Sequence, residues 1–145
     1  MTTAQEIFNT TMALIDEVNE ATGETDTGDT REYKLKTLFI LNLLRGELYP
    51  YSDTYTLPED DSKRPIAQMI NSFDEPIGLD DYICQTVMPH GLAAYLLLDE
   101  NPSVASFFNQ KYNELKITLM RGKPSVSVDI EDVYGGIRYN EFSSW

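Results

Sequence analysis

The chain holds one cysteine, Cys84, and one histidine, His90, among its 145 residues. Six positions separate them, which on a helix sets them about 120° apart. A thiolate and an imidazole so placed do not form a nucleophilic pair, and they are too few to make a zinc site without carboxylate help. Both read as packing residues. Two runs of carboxylates, Glu59-Asp60-Asp61 and Asp80-Asp81, are able to attract a divalent cation. A calcium loop, however, needs further oxygen ligands at fixed offsets, and neither run has that spacing. The first reads as a solvated loop and the second as a helix cap. Gly135-Gly136 precedes Ile137-Arg138-Tyr139 rather than a helix, so it makes a poor phosphate cradle. No catalytic residue, metal ligand or cofactor site is expected, and the chain reads as a non-enzyme. A lone cysteine also leaves no intramolecular disulfide.

The charge is uneven. Twenty-four Asp and Glu face eleven Lys and Arg, for a net charge of −13. No basic residue precedes Arg31, and none lies between 65 and 110. The basic residues gather at Arg31, Lys34 and Lys36, and again at Lys111, Lys116, Arg121 and Lys123. Such a surface repels phosphate, which argues against sequence reading of DNA or RNA and against anionic lipid. The densest apolar stretches are interrupted by Asn42 and Arg45, or by Pro89 and His90, so no membrane span is expected. Met1 to Glu6 lack the basic start and apolar run of a signal peptide, and no leader is expected.

The elements that would carry these residues are mainly α. A first helix is predicted over 3–21, with Thr2 or Thr3 as cap, Ile7, Phe8, Met12, Ile15 and Val18 on one face, and Gly23 just past its end. A polar loop spans 22–29. A second helix is predicted over 30–49. Its apolar residues, from Leu35 and Phe39 through Leu43 and Leu44 to Leu48, cover more than one face, as in a central helix packed on several sides. Asn42 inside this run reads as a structural polar anchor. Residues 50–65 hold three prolines and read as a loop or contact arm. Residues 66–78 read as a short helix or an irregular packed segment. A third helix starts at Leu79-Asp80-Asp81, with Asp80 as cap, and is expected to kink or break at Pro89. Asn101-Pro102 starts a fourth helix that runs to about Met120. Val104, Phe107, Phe108, Tyr112, Leu115 and Leu119 are expected on its buried side. The fold class is therefore a small helical bundle of four to five helices over 1–122. An extended or short-β C-terminal tail follows over 123–145, with strand-like alternation at Ser125–Ile130.

Two stretches carry a resemblance. One is Tyr33-Lys-Leu-Lys-Thr-Leu-Phe-Ile-Leu-Asn-Leu-Leu-Arg-Gly-Glu-Leu. The other runs from Met88-Pro-His-Gly-Leu-Ala-Ala-Tyr to Phe107-Phe-Asn-Gln-Lys-Tyr112. Together, between Tyr33 and Tyr112, the pattern resembles head–tail connector (neck or adaptor) proteins of tailed bacteriophages and prophages. The resemblance implies a structural virion-assembly protein, a helical-bundle subunit of an oligomeric ring, often of twelve. Its partners would be other copies of itself, the portal protein and tail or neck proteins. DNA would be only a passing cargo that the acidic lumen repels. The location implied is the host bacterial cytoplasm during assembly, then the virion neck. The tail after Gly122 matches no part of that pattern.

The surfaces expected to meet a partner are the 50–65 loop, through Tyr51, Tyr55 and Leu57, and the aromatic tail, through Tyr134, Ile137, Tyr139, Phe142 and Trp145. Aromatic residues are scarce in solvated segments and frequent as interface anchors. The alternative is an acidic regulatory inhibitor or DNA mimic that occupies a nucleic-acid-binding site on another protein. That role requires carboxylates spread along one elongated face.

Overall fold

A computed structural model describes residues 1–16, 21–25, 28, 30–55 and 67–122. Within them lie four α-helices: α1 (Ala4–Leu14), α2 (Arg31–Leu48), α3 (Met88–Leu96) and α4 (Pro102–Gly122). The chain is a small helical bundle, and no strand appears among the described residues. The strand-like Ser125–Ile130 and the rest of the tail lie outside them.

α1 opens on a capping box. The Thr3 hydroxyl accepts from the Glu6 N–H at 3.3 Å, and the Thr3 N–H donates to Glu6 Oε2 at 2.7 Å. Two of the helix's orphan donors are thereby satisfied. The helix ends at Leu14, earlier than its apolar period predicts. Ile15 is its C-cap, and Asp16 takes φ 61°, the left-handed position that closes a helix. Gly23 also has positive φ, but in the loop beyond.

Ahead of α1 the chain lies against residues 73–77. Ile77 N–H donates to Thr2 O at 2.9 Å, and Gln5 N–H donates to Phe73 O at 3.0 Å. Asp81 reaches across as well: its Oδ1 accepts from both the N–H and the hydroxyl of Thr2, at 3.0 and 2.9 Å. These two bonds hold the Asp81 carboxyl below its ordinary value. Residues 67–80 are thus an irregular packed segment rather than a helix. Its Ile70, Ile77 and Leu79 are buried. Asn42 anchors it as expected, accepting from Ile70 N–H at 2.8 Å and donating to Ile70 O at 3.0 Å.

Pro89 does interrupt its helix. The five residues before α3, Ile83–Val87, form a π-helical turn in which Met88 N–H bonds the Ile83 carbonyl. Proline has no N–H to give the carbonyl four residues back, and its ring crowds that carbonyl. A wider turn accommodates both losses. Asp80 begins this stretch through its backbone carbonyl, which accepts from Cys84 N–H at 3.0 Å. Its carboxylate does not cap the helix as predicted. It accepts from Asp53 N–H and from the Ser52 hydroxyl, about 3.1 Å away.

The central helix is α3, not α2. It packs against α1, α2 and α4, and Met88, Pro89, Gly91, Leu92, Ala93 and Leu96 are buried. Gly91 permits this closeness, since a Cβ there would stand 3.0 Å from both Leu44 Cδ2 and the Tyr112 ring. The core around it takes Ile7, Phe8 and Met12 from α1 and Leu41, Leu44 and Leu48 from α2. Each such side chain stabilises the fold by roughly 1.5–3 kcal/mol through burial. A smaller cluster of Ala93, Leu97, Ala105 and Phe108 fastens the α3–α4 corner. α4 starts as its sequence predicts, with Asn101 Oδ1 accepting from Val104 N–H at 3.4 Å. Its buried side is Ala105, Phe108 and Tyr112. Val104 and Phe107, expected inside, are exposed.

Candidate interaction surfaces

The residues with chemical potential are occupied by structure. Cys84 is buried, and its thiol points at the Leu79 carbonyl, 3.7 Å away. Burial first, then the Asp81 charge, push that thiol up to about 12. A thiol so protonated is a poor nucleophile. The His90 Nδ1 lies 2.7 Å from the Thr86 carbonyl. A carbonyl only accepts, so Nδ1 carries the proton. The ring leans on Phe108 at a centroid distance of 6.2 Å. Asp80 and Asp81 are spent on Ser52, Asp53 and Thr2, as described above. They are therefore not free to act as a phosphate-like pair. Among the described residues, no three His, Cys, Asp or Glu gather closely enough to hold a metal ion. Also among them, no helix is long and apolar enough to cross a membrane.

Of the expected contact residues, Tyr51 and Tyr55 are described, and both are half-buried. Tyr55 packs on Tyr49 at 5.2 Å between ring centroids. Ser52 between them is fully buried, and Thr54 donates to the Gly78 carbonyl at 2.8 Å. The start of the 50–65 loop is thus tied to the body. Leu57, Tyr134, Ile137, Tyr139, Phe142 and Trp145 lie outside the described residues.

Two apolar surfaces that sequence reasoning missed lie elsewhere. The first is the outer face of α2, where Leu35, Phe39 and Leu43 are 68, 74 and 63% exposed. Their spacing is visible in the sequence, but a periodic pattern does not say which of two apolar stripes the core takes. The second is a groove of about 510 Å³ where the end of α1 meets the start of α4. Leu14, Val104, Phe107 and Phe108 line it, together with the carboxylates of Asp16 and Glu100. Glu100 also accepts a hydrogen bond from the Tyr33 hydroxyl. Near the far end of α4, Lys116 pairs with Glu47 of α2. Burial, with Glu47 nearby, holds the Tyr112 phenol above its ordinary value.

A closed core with apolar side chains left on two outer faces is an arrangement suited to binding other proteins. No known protein family matches the chain, and no match is found among curated proteins or among solved structures.

Proposed function

We propose that this chain is a structural assembly subunit that acts by binding proteins, and specifically a head–tail connector subunit that bridges the portal and the tail of a phage particle. The observation that carries the assembly half is the pair of exposed apolar surfaces outside the core of the described residues. Leu35, Phe39 and Leu43 on one face, and the Leu14–Val104–Phe107 groove on another, give the subunit separate contact surfaces. A subunit that joins unlike neighbours requires at least two.

The connector half rests on the resemblance over residues 33–48 and 88–112. The second of these stretches spans the helix pair α3 and α4, a Leu-Ala-rich helix leading into one that carries Asn109-Gln110-Lys111-Tyr112. The net charge of −13 supports the same reading, because an acidic lumen lets DNA slide without trapping it. In this role the chain needs no cofactor, and its partners are its own copies, the portal and the tail or neck proteins.

The test is to mix the purified chain with the portal protein of the phage or prophage that encodes it. Sizing and negative-stain imaging should show the chain seated as a ring on the portal. A chain that ignores the portal at high concentration overturns the proposal.

A further inference from the structure

The large apolar side chains that α2 leaves most exposed fall on one narrow strip. Leu35, Phe39, Leu43 and the exposed Gly46 span about 80° of the helix circumference. Gly46 is the odd member. It lies inside α2, where glycine costs about 1 kcal/mol against alanine. A Cβ there would meet nothing within 4 Å, so no contact within the described chain asks for a glycine. A glycine on an apolar strip does allow a second helix to come close. Met69, 68% exposed, extends the apolar area beside the Asn42–Ile70 link.

The charges around the strip choose its occupant. On and beside the strip, exposed Arg31 and Lys36 balance exposed Glu32 and Glu47, in a chain that is otherwise strongly acidic, while Lys34 lies over the Phe8 and Phe73 rings and Arg45 donates to the Ile77 carbonyl on the far side. The strip is therefore a surface on which a second acidic copy can settle with little repulsion. Lys36 and Glu47, both exposed, flank the strip on the same side, about 20° apart around the axis; Glu47 already pairs with Lys116 of its own chain through Oε1, so the other copy's Lys36 would join an existing ion pair. If two α2 helices run antiparallel and cross near the level of Leu41, Lys36 of each copy comes beside Glu47 of the other. Phe39 then faces Leu43, and Leu35 faces Gly46. A parallel pair would place these flanks on opposite sides of the seam, where Lys36 of one copy meets neither Lys36 nor Glu47 of the other. The face is self-complementary across a twofold axis, as an isologous interface must be.

We infer that two copies of this chain pair antiparallel through the α2 strip Leu35–Phe39–Leu43–Gly46, with Lys36 and Glu47 setting the register. The inference does not need the connector reading, but it assigns to a second copy the α2 face that the reading above counts among its contact surfaces, and leaves the Leu14–Val104–Phe107 groove for unlike partners. The strip runs only about 16 Å along the axis. That is short for the roughly 800 Å² per partner of a stable complex, so the pair forms at high protein concentration.

The test is sedimentation of the full chain from low micromolar to millimolar concentration. The mass should rise from one chain toward two. Phe39→Glu and Gly46→Leu each change an exposed position, so circular dichroism should stay unchanged while association weakens at least tenfold. Orientation is read separately. Copies carrying Leu35→Cys should cross-link to copies carrying Gly46→Cys faster than either does to itself, with buried Cys84 silent. A full chain that stays monomeric overturns the inference, as does association indifferent to Phe39→Glu and Gly46→Leu. Like-with-like cross-linking overturns the antiparallel arrangement. Portal binding is a separate measurement, so failure of either proposal is told apart from failure of the other.

Discussion

Asn42 and Ile70, 28 residues apart, are joined by a two-point amide contact: Asn42 Oδ1 accepts from the Ile70 N–H at 2.8 Å, and Asn42 Nδ2 donates to the Ile70 carbonyl at 3.0 Å. One side chain thus completes the hydrogen bonding of a backbone unit that no helix or sheet serves. Asn42→Leu removes both bonds and leaves the Ile70 amide and carbonyl without their partner. The expected loss is about 2 kcal/mol, read as a lowered urea midpoint with unchanged slope.

Gly91 and Gly46 predict opposite outcomes for the same substitution. At Gly91 a methyl group meets Leu44 and the Tyr112 ring at 3.0 Å, and both neighbours are buried. The overpacking should outweigh the gain in helix propensity, so Gly91→Ala destabilises by about 1 kcal/mol. Gly46 has open space around it. Gly46→Ala should stabilise the single subunit by about 0.5–1 kcal/mol. Thermal melts of the two variants at low concentration check both signs.

Asp81 predicts an acid-sensitive link. Its pKa is depressed in the folded chain by the two bonds from Thr2. The stability it contributes is therefore present above the ordinary carboxylate pKa and is lost as pH falls through the folded value. Asp81→Asn should lower the denaturation midpoint near neutral pH. The gap from the parent chain should close as pH drops to about 2. A gap that persists in acid would show that the carboxylate charge is not the cause.

Cys84 predicts slow chemistry. With the thiol pushed up to about 12, the thiolate fraction near neutral pH is roughly a thousandfold below that of a free cysteine. Thiol reagents should label the native chain far more slowly than the chain in strong denaturant. Comparable rates would mean that the site opens readily.

Features with a local physical cause are the ones the sequence makes legible. Asn101-Pro102 needs no tertiary context to start a helix, and α4 begins at Pro102. Pro89 must disturb its helix whatever surrounds it, and the π-helical turn lies just before it. Features decided by competition are not legible. α2 carries two apolar stripes, and only packing with α3 decides that Leu41, Leu44 and Leu48 go in while Leu35, Phe39 and Leu43 stay out. Asp80 has a cap's place in sequence, but Ser52 and Asp53 arrive from 27 to 28 residues away and take its carboxylate. For the candidate site, Tyr51 and Tyr55 were legible as aromatic residues in a proline-rich stretch. Their tethering through Ser52 and Tyr49 depends on long-range contacts and was not.

The bonds from Thr2 to Asp81 span 79 residues, and that distance is also an interval of time. At about 5–20 residues per second, a ribosome needs roughly 4 to 16 seconds to cover it. Through that interval Ile7, Phe8 and Met12 have been made but not the α3 residues that later cover them. Of the described helices, α1 is made before the others and is among the last to be secured. The growing chain offers an uncovered apolar face to any chaperone that waits at the exit.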